Sequence, residues 1–223
     1  MRINSLTILN KKPVLEKNIF DFIVRQAKNK SVLNVGAAGG VNGYLPNNKE
    51  VWLHHLLSCV ASDLVGVDID KEGIAHATKH GVNIADENCE TMDLKRQFET
   101  IILSDVIEHL DAPVTATNNL MRHLAPDGCL LITTPNPTAF NTMLRAFTGR
   151  LINVYYDHVT CFMPEHIQGI CDRNGYCADG YLFFDHIDKG NPLTHCKSII
   201  ASIISRVNPR LATSFMAIVK HAK

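Results

Sequence analysis

A glycine-rich turn, followed at a distance by an acidic residue, is the first feature of the sequence that could do chemistry. The segment SVLNVGAAGG, residues 31–40, runs from apolar into small residues, and LVGVDID places Asp68 at the end of the next apolar segment. A strand that ends in a glycine turn and opens a helix brings a ligand close to bare backbone. An acid after the following strand accepts hydrogen bonds from both ribose hydroxyls. The pair predicts a cofactor containing a nucleoside; the alternatives are a plain tight turn and Asp68 as a helix cap.

Two histidine-containing segments could move a proton. DVIEHL supplies Asp105, Glu108 and His109, and YYDHVTCF supplies His158. A neutral imidazole near pH 7 accepts a proton from a hydroxyl. We therefore expect His158, or failing that His109, to be a general base. The alternative is that His158 bonds a carbonyl and orders its loop.

The remaining candidates are weaker. Trp52 is expected to pack, and His54 and His55 in WLHHLL to lie on a helix surface. The seven cysteines include no C-x-x-C pair, which argues against a zinc cage or a secreted disulfide framework and favours a reducing compartment.

Composition sets further bounds. In 223 residues, 22 Lys and Arg balance 22 Asp and Glu, so no overall electrostatic field draws the chain to nucleic acid or anionic lipid. A local basic patch is still compatible with this balance. The apolar run at the N-terminus is too short for a signal-peptide core, and no uninterrupted run reaches the roughly 18 apolar residues of a membrane helix. We expect a cytoplasmic protein without an integral membrane segment.

The elements that must position these residues follow from hydrophobic periodicity. Short apolar strands such as SVLNVG, DLVGVDID and FETIILSDVI alternate with helical segments. Such alternation predicts right-handed crossovers and a mainly parallel α/β sheet with helices on both faces. The last third ends with the strand SFMAIVKH, which would complete a seven-stranded Rossmann-like sheet.

From about Ser31 to Tyr176 the chain resembles the class I S-adenosylmethionine-dependent methyltransferases. The resemblance rests on VLNVGAAGG, VGVDID, DVIEHLDAP, LAPDGCLLITTPNP and DHVTCFMPEHIQGICDRNGY, in that order. The last two are most similar to the small-molecule branch, which includes ubiquinone O-methyltransferases and enzymes of glycan and natural-product pathways. The resemblance implies one domain over residues 1–223 with an antiparallel last strand. Within it, the cofactor-binding half covers about 15–136, a substrate-covering segment about 137–163, and C-terminal helices and strands about 164–223.

The resemblance also assigns S-adenosylmethionine as cofactor and implies its binding residues. The glycine loop runs along the methionine part of the cofactor, and Asp68 binds the ribose. The amide of Asn88 replaces the usual acid at the adenine. Ser104 and Asp105 lie near the sulfonium. The residues so assigned are Asn34, Gly36, Ala38, Gly40, Asp68, Ile69, Asn88, Cys89, Ser104 and Asp105. Two depart from the family pattern: Asn34 stands where Asp is commonest, and Ala38 replaces a glycine, which could weaken cofactor binding.

The activity that the resemblance implies is methylation of a small molecule, most simply at a hydroxyl of a sugar, quinone or natural-product intermediate. Tyr155, Tyr156 and Arg145 are expected on the substrate side. Nucleic acid is not expected as a partner because no basic stripe is present, and a homodimer is compatible with the sequence. Two other functions stay open: a non-catalytic cofactor-binding or scaffold subunit, and a nucleotide-cofactor oxidoreductase.

A metal is the last alternative. DVIEHL is similar to the E-x-x-E-H of ubiquinone O-methyltransferases, in which these positions hold a divalent cation. That similarity makes Asp105, Glu108 and His109 candidate ligands. Because EHL also occurs in methyltransferases without metal, we expect a reaction that uses none.

Overall fold

The structure, a computed structural model, describes residues 12–152, 155–186 and 192–222. The N-terminal segment that bears on a signal peptide therefore lies largely outside the described residues. The strands are β1 (Val14–Leu15), β2 (Ser31–Val35), β3 (Asp63–Asp68), β4 (Ala85–Asp86), β5 (Phe98–Ser104), β6 (Leu124–Pro135), β7 (Tyr176–Phe184) and β8 (Ser214–His221). The α-helices are α1 (Ile19–Ala27), α2 (Val41–Tyr44), α3 (Leu53–Ser58), α4 (Lys71–Lys79), α5 (Pro113–Arg122), α6 (Phe140–Phe147), α7 (Pro164–Asn174) and α8 (Pro192–Val207).

The strands form one sheet in the order β1-β7-β8-β6-β5-β2-β3-β4. Strands β6, β5, β2, β3 and β4 are parallel, whereas β8 lies antiparallel between β6 and β7. The predicted single Rossmann-like α/β fold with an antiparallel last strand is confirmed.

In the described ranges the sheet has eight strands, one more than predicted. The additional strand is β1, which pairs in parallel with β7 at the edge, and the backbone N–H of Glu16 donates to Phe183 O at 2.8 Å. Two residues are too short to show a period in sequence, so only the pairing identifies this strand.

Burial explains why the central strands are uninterrupted apolar runs. Ile101, Ile102 and Leu103 of β5 are fully buried because helices cover both faces of the sheet. Parallel strands β2, β3 and β5 end at the same edge of this layer. The turns that follow them, at Gly36, Ile69 and Asp105, are therefore brought together although they are far apart in sequence.

Helix lengths bear on the membrane question. Among the described residues, every helix is too short or too polar to cross a bilayer.

Candidate active site

The turn after β2 requires glycine for its own geometry. Gly36 has φ +74° and Gly40 has φ +67°, values in the left-handed region that glycine adopts most easily. A Cβ on Gly36 would also lie 2.4 Å from Val106 Cγ2, on the turn after β5. The loop is thus bare where it faces the neighbouring turn, and Gly40 immediately precedes α2.

Ala38 is accommodated without narrowing the site. Its side chain is buried among apolar residues that include Ala77 and Ile84, and a Cβ on Gly73 of α4 would lie 3.0 Å from that of Ala38. The methyl group is therefore packed beneath the loop rather than exposed to the cleft. The expectation that it could weaken cofactor binding finds no steric basis here.

Asp68 holds the loop and the turn after β3 in register. Its Oδ2 accepts from the N–H of Ala38 at 2.7 Å, and its Oδ1 accepts from the N–H groups of Ile69 at 2.8 Å and Asp70 at 3.0 Å. The cap of α4 is Asp70, whose Oδ1 accepts from the first turn of that helix. The helix-cap alternative for Asp68 is therefore wrong, and its carboxylate is fixed beside the glycine loop.

These turns surround a cleft of about 540 Å³. Most of the predicted cofactor residues line this cleft, and they come from the ends of β2, β3 and β5 and the turns that follow. They are Asn34, Gly36, Gly40, Asp68, Ile69, Ser104 and Asp105. Asn88 and Cys89 lie outside this lining. Asn88 is exposed, and its Oδ1 accepts from the N–H of Glu90 at 2.8 Å. Burial raises the pKa of the Cys89 thiol to about 12, so that thiol stays neutral.

His54 belongs to the cleft, which corrects its expected place on a helix surface. The segment containing it is a 3-10 turn at Lys49–Val51 followed by α3, not one continuous helix, and this break turns His54 and Leu57 toward the core. Asn34 Nδ2 donates to His54 Nδ1 at 3.1 Å. Burial, with the nearby His55, lowers the pKa of His54 to about 4. A neutral imidazole pairs well with the Asn34 amide, which gives a physical reason for the amide there. Trp52 also lines the cleft and is buried, as expected for packing.

Asp105 lines the cleft and interacts with three histidines. It has φ +51°, and its N–H donates to both Thr133 O and Thr133 Oγ1 at 3.1 Å. Desolvation raises the pKa of its carboxyl, although His186, His158 and His109 favour the ionised form. His186 follows β7 without any motif around it, so local sequence does not single it out. The sheet order β7-β8-β6-β5 brings it toward the turn after β5.

The two predicted bases are in contact. The rings of His109 and His158 lie edge to face with centroids 4.6 Å apart, and the ring of Tyr155 is 5.2 Å from that of His158. His109 Nδ1 is 3.2 Å from both the carbonyl and a carboxylate oxygen of Asp157. The contact with a backbone carbonyl that orders the loop is therefore made by His109, whereas the alternative had assigned it to His158. Desolvation, followed by the charge of His109, lowers the pKa of His158.

Glu108 lies behind the histidines and is almost completely buried. Thr134 Oγ1 donates to its Oε2 at 3.0 Å, whereas Oε1 has no partner among the described residues. Burial, assisted by the charges of Asp105 and Asp157, raises the pKa of Glu108 to about 7.

The groups whose spacing could hold a metal differ from the alternative set Asp105, Glu108 and His109. Ligand atoms of Glu108, His109 and His158 all lie within 4.8 Å of one another, a spacing compatible with one cation. His158 therefore takes the place of Asp105 in that set. The loop at 155–159 is held against the turn after β5, because Val159 and Thr160 donate backbone hydrogen bonds to Glu108 O at 3.0 and 3.2 Å. This contact brings His158 next to Glu108.

The expected substrate-side residues lie outside the cleft lining. Tyr155 and Tyr156 are exposed, and Arg145 Nε donates to Leu151 O at 2.7 Å. All three lie on the segment that follows β6 in sequence. Their role in binding an acceptor stays a prediction.

A comparison with protein families identifies the chain. A family model described as "Methyltransferase domain" matches residues 12–178. The chain belongs to this methyltransferase family. Its fold and this membership confirm the predicted S-adenosylmethionine-dependent methyltransferase, without specifying the branch. Among curated proteins no sequence matches significantly.

Solved structures of methyltransferases share the fold at low sequence identity. A SAM-dependent methyltransferase from Archaeoglobus fulgidus is 18% identical with a TM-score of 0.61, over 91% of each chain. The N-methyltransferase NodS from Bradyrhizobium japonicum WM9, in complex with S-adenosylhomocysteine, is 14% identical with a TM-score of 0.56, over 99% of this chain and 93% of its own. The magnesium protoporphyrin IX methyltransferase ChlM from Synechocystis PCC 6803, with the same product bound, is 14% identical with a TM-score of 0.61, over 92% of this chain and 82% of its own.

Proposed function

We propose that this methyltransferase transfers a methyl group from S-adenosylmethionine to a hydroxyl of a small molecule, such as a sugar, a quinone or a natural-product intermediate. The observation that carries the proposal is the pair of histidines, His109 and His158, beside the cleft that the glycine loop and Asp68 form. A hydroxyl acceptor needs a proton acceptor beside the reacting carbon, and these imidazoles supply one.

The residues present fit the cofactor. The bare turn from Gly36 to Gly40 offers room along a cleft of about 540 Å³, and the fixed carboxylate of Asp68 still has lone pairs for ribose hydroxyls. Ile69 is exposed at the edge of the cleft, where an apolar side chain can cover one face of a base. When bound, S-adenosylmethionine supplies a methyl group activated by a positive sulfur. We place Asn88 and the backbone of Cys89 at the adenine, and Ser104 and Asp105 near the reacting end.

The chain's own contribution is alignment and proton removal. His158 accepts the hydroxyl proton at a ring nitrogen, while His109 holds the loop through Asp157. Asp105 is near three histidines and stabilises an imidazolium once the proton has moved. Tyr155, against the His158 ring, limits how that ring turns. Together these contacts orient the acceptor and the base, which is the larger part of catalysis for an activated methyl group.

We propose that this reaction uses no metal. A competing role for the set Glu108, His109 and His158 is to hold a divalent cation, as their spacing permits. Activity that vanishes with EDTA and returns with Mg²⁺ would assign that role and overturn the metal-free mechanism.

Replacement of Asp68 by Ala tests the cofactor site. We expect S-adenosylhomocysteine to bind the wild-type chain in calorimetry and NAD to give no heat, and the variant to bind at least about a hundredfold more weakly. The physical reason is twofold, since the variant loses both the ribose acceptor and the bond to the Ala38 N–H.

Asp86→Ala is the matched control, because Asp86 is exposed and lies outside the cleft lining. Binding of NAD without binding of S-adenosylhomocysteine would favour the oxidoreductase instead. Cofactor binding without turnover of any acceptor would favour the scaffold subunit.

A radiolabel screen tests the acceptor class. Label from the cofactor is expected on small hydroxyl compounds and not on bulk tRNA or protein. Transfer to amines alone would correct the acceptor atom, whereas transfer to macromolecules alone would contradict the proposal.

The cytoplasmic location of the protein and its assembly as a homodimer stay predictions.

A further inference from the structure

An apolar stripe on α6 and the residues after it is exposed. Met143, Leu144 and Phe147 recur at helical spacing, so they share one face, and Leu151 lies four residues beyond the end of the helix. Phe147 is 90% exposed and Leu151 is 87% exposed. None of the residues of α6 is buried, although the helix is strongly amphipathic. A helix that leaves its large apolar side chains exposed in its own domain offers that side to another partner.

A second stripe of the same kind lies on α8. Ile199, Ile203 and Val207 recur every four residues, with Ile200 beside them, and all four are exposed. Helices α6 and α8 are in contact. Two neighbouring helices thus each present large aliphatic or aromatic side chains to solvent. These two stripes, Met143, Leu144, Phe147, Leu151, Ile199, Ile200, Ile203 and Val207, are called the apolar patch below.

The two sequence segments that carry the stripes contain basic residues and no acidic ones. Residues 128–156 contain Arg145 and Arg150 and no acidic residue. Residues 189–223 also contain no acidic residue, but six basic ones: Lys189, Lys197, Arg206, Arg210, Lys220 and Lys223. In a chain whose formal net charge is zero this is a strong asymmetry. Arg210 is paired with Glu165 and Lys220 with Asp179, and Asp185 accepts from Ser205 of α8. Arg150 and Arg206 are exposed, so they are the cations offered beside the stripes.

We propose that the apolar patch docks on the surface of an anionic lipid bilayer. Apolar side chains on one face with arginines beside them are the combination that binds the interface of a membrane, where the apolar groups enter the acyl boundary and the cations meet phosphate headgroups. A second copy of the chain fits less well, because two such surfaces facing each other would bring like charges together.

Docking in this way has a consequence for the active site. The loop at 155–159, which carries His158, follows the α6 stripe in sequence, and Tyr155, Tyr156 and Val159 on this loop are also exposed. An amphipathic acceptor held in the bilayer would therefore approach from the side of the base. The docking itself stands on the patch and its charges and does not depend on which acceptor is methylated.

Vesicle flotation of the full chain tests the proposal. The protein is expected to float with vesicles of equal parts phosphatidylglycerol and phosphatidylcholine, and much less with phosphatidylcholine alone. The variant Phe147→Ser with Leu151→Ser is expected to lower the partition coefficient about tenfold to a hundredfold, because two large apolar groups no longer enter the lipid. Arg150→Gln with Arg206→Gln is expected to remove most of the preference for anionic vesicles.

The matched control is Val14→Ser with Val114→Ser, two exposed valines on β1 and α5 that lie outside the patch. It should float as the wild type does. Circular dichroism and binding of S-adenosylhomocysteine verify that each variant is folded. A folded wild-type chain that does not float, flotation that ignores lipid charge, or a patch variant that floats normally would overturn the proposal. A dimer that the patch variant dissociates, without any flotation, would assign the patch to a second copy instead.

Discussion

His158 is the residue on which the proposed chemistry depends most directly. Because burial and His109 lower the pKa of its imidazole below the ordinary 6.5, most of it is neutral at pH 7 and able to accept a proton. The single-turnover rate should therefore rise with pH through a value below 6.5 and then level off. Replacement by Gln should lower that rate about a hundredfold to ten-thousandfold while the affinity for S-adenosylhomocysteine is kept.

His55→Gln is the control for His158, since it makes the same change on a residue outside the cleft lining. Rapid quench measurements across pH 5 to 8, in buffer with EDTA, follow the methylated product. A normal rate in the His158 variant would shift the role to His109. Normal rates in both variants would mean that alignment alone carries the reaction.

At the scale of the element, the turn between β2 and α2 places two constraints on Gly36: its backbone conformation and its contact with Val106. Comparison with a second glycine separates them. Gly36→Ala forces a side chain into φ +74° and against Val106 Cγ2 at 2.4 Å, and a β-branched valine moves little. Gly81→Ala imposes the same kind of φ, +79°, with nothing within 4 Å.

The two alanine variants should therefore differ in the free energy of unfolding. Gly81→Ala is expected to lose about 1 kcal/mol, from backbone strain alone. Gly36→Ala is expected to lose about 2–5 kcal/mol, because overlap with Val106 is added to that strain. Urea titrations followed by circular dichroism measure both. Equal losses would show that Val106 yields and that the contact between the turns is soft.

At the scale of the whole molecule, the last strand decides whether the sheet is complete. Strand β8 lies between β6 and β7, and Phe215 on it is fully buried with its ring centroid 6.3 Å from that of Phe183. Because the C-terminal strand joins two earlier parts of the chain, folding requires contacts of long sequence separation.

Phe215→Ala should cost about 3–5 kcal/mol of the free energy of unfolding, through the cavity that it leaves. Phe147→Ala makes the same chemical change on a ring that is 90% exposed and should cost almost nothing in the absence of lipid. Phe215→Leu keeps most of the volume and allows a measurement if the alanine variant does not fold. Similar losses for Phe215 and Phe147 would contradict the burial of β8 and weaken the assignment of the exposed patch.

What the sequence determined by itself is what local patterns can carry. Strand and helix periods predicted the parallel sheet, and an ordered set of motifs predicted the methyltransferase family. The turn at Gly36 and the acid at Asp68 were identified because a glycine turn and a strand end each leave a mark within a few neighbouring residues. The edge strand Val14–Leu15 was too short to leave one.

The tertiary structure alone decided which side chains meet. It turned His54 into the cleft to pair with Asn34, packed the Ala38 methyl away from the cleft, and brought His186 near Asp105. It also placed His158 beside Glu108 and His109, although a loop far along the chain carries it. Each of these contacts depends on how strands distant in sequence are ordered in the sheet, and on backbone breaks such as the 3-10 turn before α3. Side-chain type and local spacing hold no record of that order, whereas packing of the sheet and its helices fixes it.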